Sequence, residues 1–174
     1  SGSVFHILEG MQWVYDNAEK YHIGVLCMSL GGAAVAGRDP LCVAAEALWR
    51  TGVTVVASAG NSGEEGVTSP GSCGRIITVG SAEKNSEGRI VRSPFSSYSE
   101  DIGKPDVCAD GSGVACVGVD GEKTVLSGTS ISAPIVAGIC LEIIKNNPYF
   151  TPDMVKRELL SRAVFLGEPG TGYG

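Results

Sequence analysis

The chain has 174 residues, the size of one domain. Hydrophobic residues make up 43% and charged residues 18%, which supports a packed core and excludes a disordered chain. The formal net charge of −6 removes the basic field that gathers phosphates, so nucleic acid is not an expected partner. No apolar run reaches the roughly 18 residues of a membrane span, so no membrane partner is expected either.

Residues 4–20 place Ile7, Met11, Val14 and Tyr15 at helical spacing. Residues 24–30 form a short apolar run closed by Gly31-Gly32, the pattern of a buried strand. Asp39, at an N-cap position before Pro40, opens a helix that runs to Arg50. A second buried strand is predicted over 53–59, ending at Gly60-Asn61, and a third over 75–81. Helix, strand, helix, strand in this order argues for an α/β fold with a mostly parallel sheet and helical crossovers. Residues 82–105 are polar, with turn signals at Lys84-Asn85 and Glu87-Gly88. Short strands follow over 106–110, 113–119 and 123–128, the last two joined by a turn at Asp120-Gly121. An apolar helix spans Thr129 to Asn147 with Pro134 near its start. Thr151-Pro152-Asp153 caps a final helix to about Arg162, and residues 166–174 are expected to form a flexible tail.

The six cysteines include no C-x-x-C spacing, and a chain of this length does not need disulfide staples. Cys27, Cys42 and Cys140 sit among apolar neighbours and are expected to be buried free thiols. That usage points to a reducing, cytoplasmic setting. No Cys/His cluster has zinc-ligand spacing, and the loop carboxylates Glu64, Glu65, Glu83, Glu87, Glu100 and Asp101 have no EF-hand spacing, so no metal ligands are assigned. No signal peptide is visible, and Ser1-Gly2-Ser3 does not look like a natural start, so the chain is expected to begin inside a longer protein.

Three segments could carry chemistry. Ser130 lies at the mouth of an apolar helix, whose free N–H groups favour negative charge, so an oxyanion formed beside it would be stabilised. The plain alternative is that Thr129 or Ser130 is only the N-cap of that helix. Asn61 follows the carboxyl end of a buried strand, where an α/β sheet binds its ligands and where an amide could reach an oxyanion. Its alternative is a turn asparagine. Ser29-Leu30-Gly31-Gly32 closes the neighbouring strand in the same way.

Together these segments resemble the subtilisin-like serine protease (subtilase) family, from about residue 3 to about residue 163. Ser127-Gly128-Thr129-Ser130 with Ile131-Ser132-Ala133-Pro134 resembles the segment around the family's nucleophile. Ala59-Gly60-Asn61 resembles its oxyanion-asparagine segment, and Ser29-Leu30-Gly31-Gly32 its substrate-binding strand. Ser96-Ser97-Tyr98 and Lys104-Pro105-Asp106-Val107 match the approach to the family's A-P-G turn, which is altered here to Ala109-Asp110-Gly111. Asp39-Pro40-Leu41-Cys42 leading into Trp49 is similar to the intracellular, AprX-like branch.

The resemblance implies a three-layer subtilisin-like fold, incomplete at its N-terminal side, with residues 1–165 as the C-terminal part of a catalytic domain. It implies a serine endopeptidase in which Ser130 is the nucleophile, and Asn61 with the Ser130 N–H forms the oxyanion hole. Ser29, Leu30 and Gly31 would pair with an extended peptide substrate. Ala57, Ser58, Ala59 and Gly60 would form one wall of the specificity pocket and the segment from Thr68 to Gly71 another, with Ser69-Pro70 as a cis peptide. The small residues of the first wall suggest a roomy pocket. No cofactor is required by this reading, and calcium is implied only as a structural ion.

The family's D-[ST]-G-like and H-G-T-like segments are absent, and His6 and His22 match neither catalytic position. Without a base Ser130 is not activated. The chain alone is therefore expected to be inactive, with the triad Asp and His supplied by the upstream N-terminal half of the same domain as partner. The alternative is a non-catalytic pseudoprotease or peptide-binding regulatory module. A nucleotide-binding module lacks its glycine fingerprint, because Gly60, Gly63 and Gly66 are wrongly spaced.

Overall fold

The computed structural model describes residues 3–35 and 37–167; the rest of the predicted tail, 168–174, lies outside the described residues. Three of the four α-helices among the described residues start where the sequence offers a cap. Ser3 accepts the His6 N–H at the start of α1 (Val4–Tyr21). Asp39 accepts the Leu41 and Cys42 N–H groups at the start of α2 (Pro40–Arg50), with Pro40 in the first turn. Thr151 accepts the Met154 N–H at the start of α4 (Pro152–Arg162). The third helix, α3 (Thr129–Asn146), has Gly128 at its cap position and no side-chain cap of its own, so Thr129 and Ser130 are not its N-caps.

Five strands form the main sheet: β1 (Val25–Met28), β2 (Thr54–Ser58), β3 (Ile77–Lys84), β4 (Ile90–Arg92) and β5 (Val107–Asp110). β1, β2, β3 and β5 run parallel, with Val25 opposite Thr54, Val56 opposite Ile77 and Val79 opposite Val107. β4 lies antiparallel to the end of β3, with Ala82 opposite Arg92. A separate hairpin joins β6 (Val114–Val117) to β7 (Lys123–Leu126). α3 packs across β1, β2, β3 and β5, while α2 covers β2 and α1 packs on α2. This is the mostly parallel, layered α/β arrangement that the alternation of elements predicts.

The core is continuous from Met11 of α1, through Leu41, Leu48 and Trp49 of α2 and Val55, Ile77 and Val79 of the sheet, to Val136, Cys140 and Ile143 of α3. Its last members are Val155 and Leu159 of α4. The Trp49 indole N–H donates to Asp153 Oδ1 at 3.0 Å, so the end of α2 is tied to the start of α4.

Two expectations are corrected here. The run 24–30 is not a buried strand: β1 pairs with β2 alone among the described residues, only Met28 of it is buried, and Cys27 is exposed. Cys42 is half-buried, and of the three thiols expected inside only Cys140 is buried. The polar stretch 82–105 carries the end of β3 and the whole of β4, which is three residues long and too short to leave a readable alternation.

One buried ionic group fixes how the sheet meets α4. Lys104, 1% exposed, donates to the Ile76 carbonyl at 2.8 Å and to Asp106 Oδ2 at 2.6 Å. Lys156 of α4 holds Asp106 Oδ1 at 2.8 Å, and the Thr78 N–H donates to Asp106 Oδ2. Burial pushes the Lys104 amine down to about 8; the Asp106 carboxylate opposes that shift, and the Lys156 charge adds to it. The folded protein therefore gives up this proton before the unfolded chain does, and stability from this group rises with pH above about 8. Above pH 9 the sign reverses. Burial holds Cys108 and Cys140 near 12, so the unfolded chain loses thiol protons that the folded one keeps. Between pH 8 and 9, the unfolding free energy should rise by about 1 kcal/mol in the wild type relative to Lys104→Met. Urea titrations of the complete protein at the two pH values measure this difference.

Candidate active site

The three segments singled out in the sequence converge where β1 and β2 end and α3 begins. Asn61 follows Gly60 at the end of β2, and its Oδ1 accepts from the Thr129 backbone N–H at 2.9 Å and from the Thr129 hydroxyl at 3.0 Å. A backbone N–H can only donate, so the amide atom facing it must be the oxygen. Asn61 Nδ2 is therefore turned away from Thr129, without a protein partner among the described residues. Gly128 makes room for it: a Cβ at 128 would lie 3.3 Å from Asn61 Nδ2, and the backbone there has φ +153°. The Thr129 hydroxyl also accepts the Gly60 N–H at 3.1 Å, so the strand end and the helix start are joined on both sides.

Ser130 sits in the first turn of α3, half-buried, with its Oγ 3.4 Å from the Ser29 carbonyl oxygen. The Ile131 N–H is used by the Gly128 carbonyl, whereas the Ser130 N–H has no protein partner among the described residues. The site thus offers a hydroxyl, two unpaired donors and the positive end of an 18-residue helix. It offers no base. His6 lies beside Ser3 in the first turn of α1, and His22 is the left-handed cap at its end, with φ +54°. Neither imidazole is a partner of Ser130.

The proposed substrate residues surround this point. Ser29 and Gly31 are exposed and Leu30 is half-buried where the chain leaves β1. Gly32 and Ser69 exchange backbone hydrogen bonds at 3.1 and 3.0 Å, which joins the two loops into one wall. Ala57, Ser58 and Ala59 are buried, with Ser58 Oγ donating a long 3.4 Å bond to the Leu30 carbonyl. Thr68 is half-buried, and its hydroxyl donates to the Ala59 carbonyl at 3.2 Å. Its side chain fills the space between Gly31 and Gly60: a Cβ at Gly60 would lie 2.9 Å from Thr68 Cγ2, and one at Gly31 would collide with Thr68 Oγ1. Thr68 thus packs against the backbone at Gly31 and Gly60, on the wall opposite residues 57–59. The Ser69-Pro70 peptide is cis, as is Lys104-Pro105.

Several supporting residues escape a reading by motif alone. Ser97 Oγ accepts the Ser62 N–H at 3.0 Å, and the Ser97 N–H donates to the Gly60 carbonyl at 2.9 Å. Ser96 Oγ accepts the Ser81 N–H, and Ser81 and Ser93 share a hydroxyl hydrogen bond, all of it buried. Ser132 Oγ reaches the Ala109 and Asp110 carbonyls, while the Gly128 N–H donates to the Gly111 carbonyl, so the altered 109–111 turn still braces the start of α3. Asp39 accepts from Ser69 Oγ, Val35 N–H, Leu41 N–H and Cys42 N–H. Burial alone would raise its pKa; these four hydrogen bonds outweigh burial and hold the carboxyl below the usual range. The sequence marks Asp39 as a cap and Ser96-Ser97, Ser132 and 109–111 as parts of the resemblance, but it gives no sign of the contacts they make; Ser81 and Ser93 carry no signal beyond the density of serines over 93–99.

The whole chain, residues 1–174, matches the sequence profile of the Subtilase family. The chain belongs to the subtilase family. It is 36% identical to the serine protease AprX of Bacillus subtilis (strain 168), over 92% of this chain and 42% of that protein. It is 32% identical to subtilisin DY of Bacillus licheniformis, over 97% of this chain and 58% of that protein. Among solved structures, a cold-adapted subtilisin-like serine proteinase superposes with a TM-score of 0.82 at 31% identity, covering all of this chain and 60% of that one. The chain spans about half the length of the relatives it matches. No three His, Cys, Asp or Glu side chains come together to hold a metal among the described residues, so no ligands are assigned for the family's structural calcium. Among the described residues, no helix is long and apolar enough to cross a membrane.

Thr129→Val keeps the shape of the side chain, removes its hydroxyl and leaves the Gly60 N–H unpaired. It should lower the unfolding free energy of the complete protein by about 1–3 kcal/mol, measured by denaturant titration.

Proposed function

We propose that the chain is the nucleophile-bearing half of a subtilisin-like serine endopeptidase that cuts peptide bonds in unfolded protein substrates. The observation that carries this reading is the orientation of Asn61, whose carbonyl end is held by Thr129 so that its N–H₂ is presented beside Ser130. Ser130 Oγ attacks the scissile carbonyl as a histidine takes its proton. The tetrahedral oxyanion is held by Asn61 Nδ2 and the Ser130 N–H. Collapse releases the amine and leaves an acyl-enzyme, which water then hydrolyses. Ser29, Leu30 and Gly31 pair with the extended substrate backbone.

The histidine and its aspartate belong to an upstream segment. The free edge of β1 supports this assignment, because an unpaired strand edge in the middle of an active fold calls for another strand. Exposed Phe5 and Trp13 on α1, and Ile135 and Ile139 on α3, give that segment further apolar surface to cover. We propose a cytoplasmic setting on the cysteine usage of the sequence, which has no C-x-x-C spacing and no need of disulfide staples.

A fluorophosphonate probe applied to the complete protein, free of any inhibitory prodomain, should label Ser130, located by peptide mass spectrometry. Ser130→Ala should abolish both labelling and cleavage of casein, and Asn61→Leu should lower kcat by about 10²–10³-fold with little change in KM. That magnitude is the one known for subtilisin, a member of the same family. A folded protein that binds peptides but takes no label would favour the pseudoprotease reading instead.

Thr68 sets the substrate preference. Its side chain stands between Gly31 and Gly60, where the group before the scissile bond would lie, and would limit the room for a large one. Thr68→Gly should therefore raise kcat/KM for phenylalanyl substrates by about 10–100-fold relative to alanyl ones, read with matched chromogenic peptides.

A further inference from the structure

At the start of α2, lined by Asp39 and Glu46 among others, lies a cavity of about 610 Å³ that the cleavage mechanism does not use. Two cysteines from separate elements line it: Cys42 in the first turn of α2 and Cys73 in the segment leading to β3. They lie 31 positions apart in the chain and touch in the fold. The Cys73 Sγ is 3.7 Å from the Cys42 carbonyl oxygen, which places it within roughly 6 Å of the Cys42 Cα. The Cys42 Sγ is 3.9 Å from the hydroxyl of Ser72, the residue next to Cys73. Glu46, one turn beyond Cys42, brings Oε1 to 3.8 Å from the Cys73 Sγ while its Oε2 pairs with Arg50 at 3.0 Å.

We propose that Cys42 and Cys73 form a reversible redox-modification site, closed to an intramolecular disulfide by low-molecular-weight disulfides such as glutathione disulfide. Cys42, the half-buried thiol of the two, meets the oxidant first. Its thiolate attacks one sulfur of glutathione disulfide, breaking that S–S bond and releasing one glutathione thiolate. Cys73 then loses its proton to solvent, and its thiolate attacks the Cys42 sulfur of the mixed disulfide. The second glutathione thiolate leaves, and the two thiolates take up the two protons that the protein thiols lost. The protein is oxidised by two electrons, and glutathione disulfide is reduced to two glutathiones. Burial, then the neighbouring Cys42 thiol and last the Glu46 carboxylate push the Cys73 thiol up to about 12, so this second step is the slow one.

The location gives the bond a structural effect. Asp39, one turn before Cys42, already accepts from Ser69 Oγ at 3.0 Å. A Cys42–Cys73 bond adds a covalent clamp between the same helix start and the same loop, on the far side of the Ser69-Pro70 peptide. Closing so long a loop stabilises the fold chiefly by constraining the unfolded chain. The pairing rests on these contacts alone and stands whether or not Ser130 cuts peptides.

The test equilibrates the complete protein in glutathione redox buffers, traps free thiols with iodoacetamide and reads peptides by mass spectrometry. The expected product is a linked peptide pair carrying Cys42 and Cys73, lighter by two hydrogens than the two thiol peptides together. Either Cys42→Ser or Cys73→Ser should abolish it, and Glu46→Gln, which removes a charge that disfavours the Cys73 thiolate, should speed its formation without changing the end point. The oxidised wild type should melt about 5–10 °C above the reduced form, and Cys73→Ser should show no such gap. The proposal is overturned if both thiols remain fully alkylated in glutathione disulfide alone. It is equally overturned if Cys42 is recovered only as a mixed disulfide with glutathione, or paired with any cysteine other than Cys73.

Discussion

Thr129 joins two elements that lie 68 residues apart, and the geometry of the candidate site depends on that junction. Its backbone N–H and its hydroxyl both hold the Asn61 carbonyl oxygen, while the same hydroxyl receives the Gly60 N–H. One residue thus fixes which end of the Asn61 amide faces outward and how far the end of β2 stands from the start of α3. The hydroxyl of Ser130, the next residue, can only be useful if that spacing is kept. The serines at 96, 97 and 132 brace the loop ends on either side through backbone groups. Each such bond contributes about 1 kcal/mol. Their common effect is to remove alternative placements of Asn61 rather than to supply much stability.

The charged groups divide labour in a similar way. Asp106 is gripped by two lysines and a backbone N–H, and Asp39 by one hydroxyl and three backbone N–H groups. Taking such groups out of water is costly, and well-packed apolar residues can be as stabilising. What Asp39 and Asp106 provide is position. Asp106 sets the level at which β5 enters beside β3 and at which α4 docks. Asp39 sets the start of α2 against the Ser69 loop. Both are satisfied chiefly by short-range donors, which makes them insensitive to salt.

Much of this was legible in the residues. Capping signals at Asp39-Pro40 and Thr151-Pro152 gave the starts of α2 and α4, and the apolar runs before Gly60 and after Arg75 gave β2 and β3. The meeting of Ser29, Asn61 and Ser130 was legible only from the resemblance of three segments taken together, because each alone reads as a turn or a cap. Three features were hidden. The exposure of Cys27 follows from β1 being at the sheet edge, which no local pattern encodes. β4 is too short for its period to show. The approach of Thr68 to Gly31 and Gly60 depends on a loop returning to face two glycines, a long-range contact that small residues at 57–59 cannot reveal.

The tight glycines have a consequence for how such a protein can diverge. At Gly60 and Gly128 the backbone has positive φ and a side chain would press on Thr68 or Asn61, so neither position can change without moving the groups that would hold the oxyanion. Core positions such as Val55 or Ile77 tolerate exchange among aliphatic residues of similar volume whatever the protein does. A descendant that has ceased to cut peptides is released at 60 and 128 while its core is still under constraint. Loss of glycine at these two positions, in an otherwise well-kept fold, is therefore an early mark of a lineage that has given up catalysis.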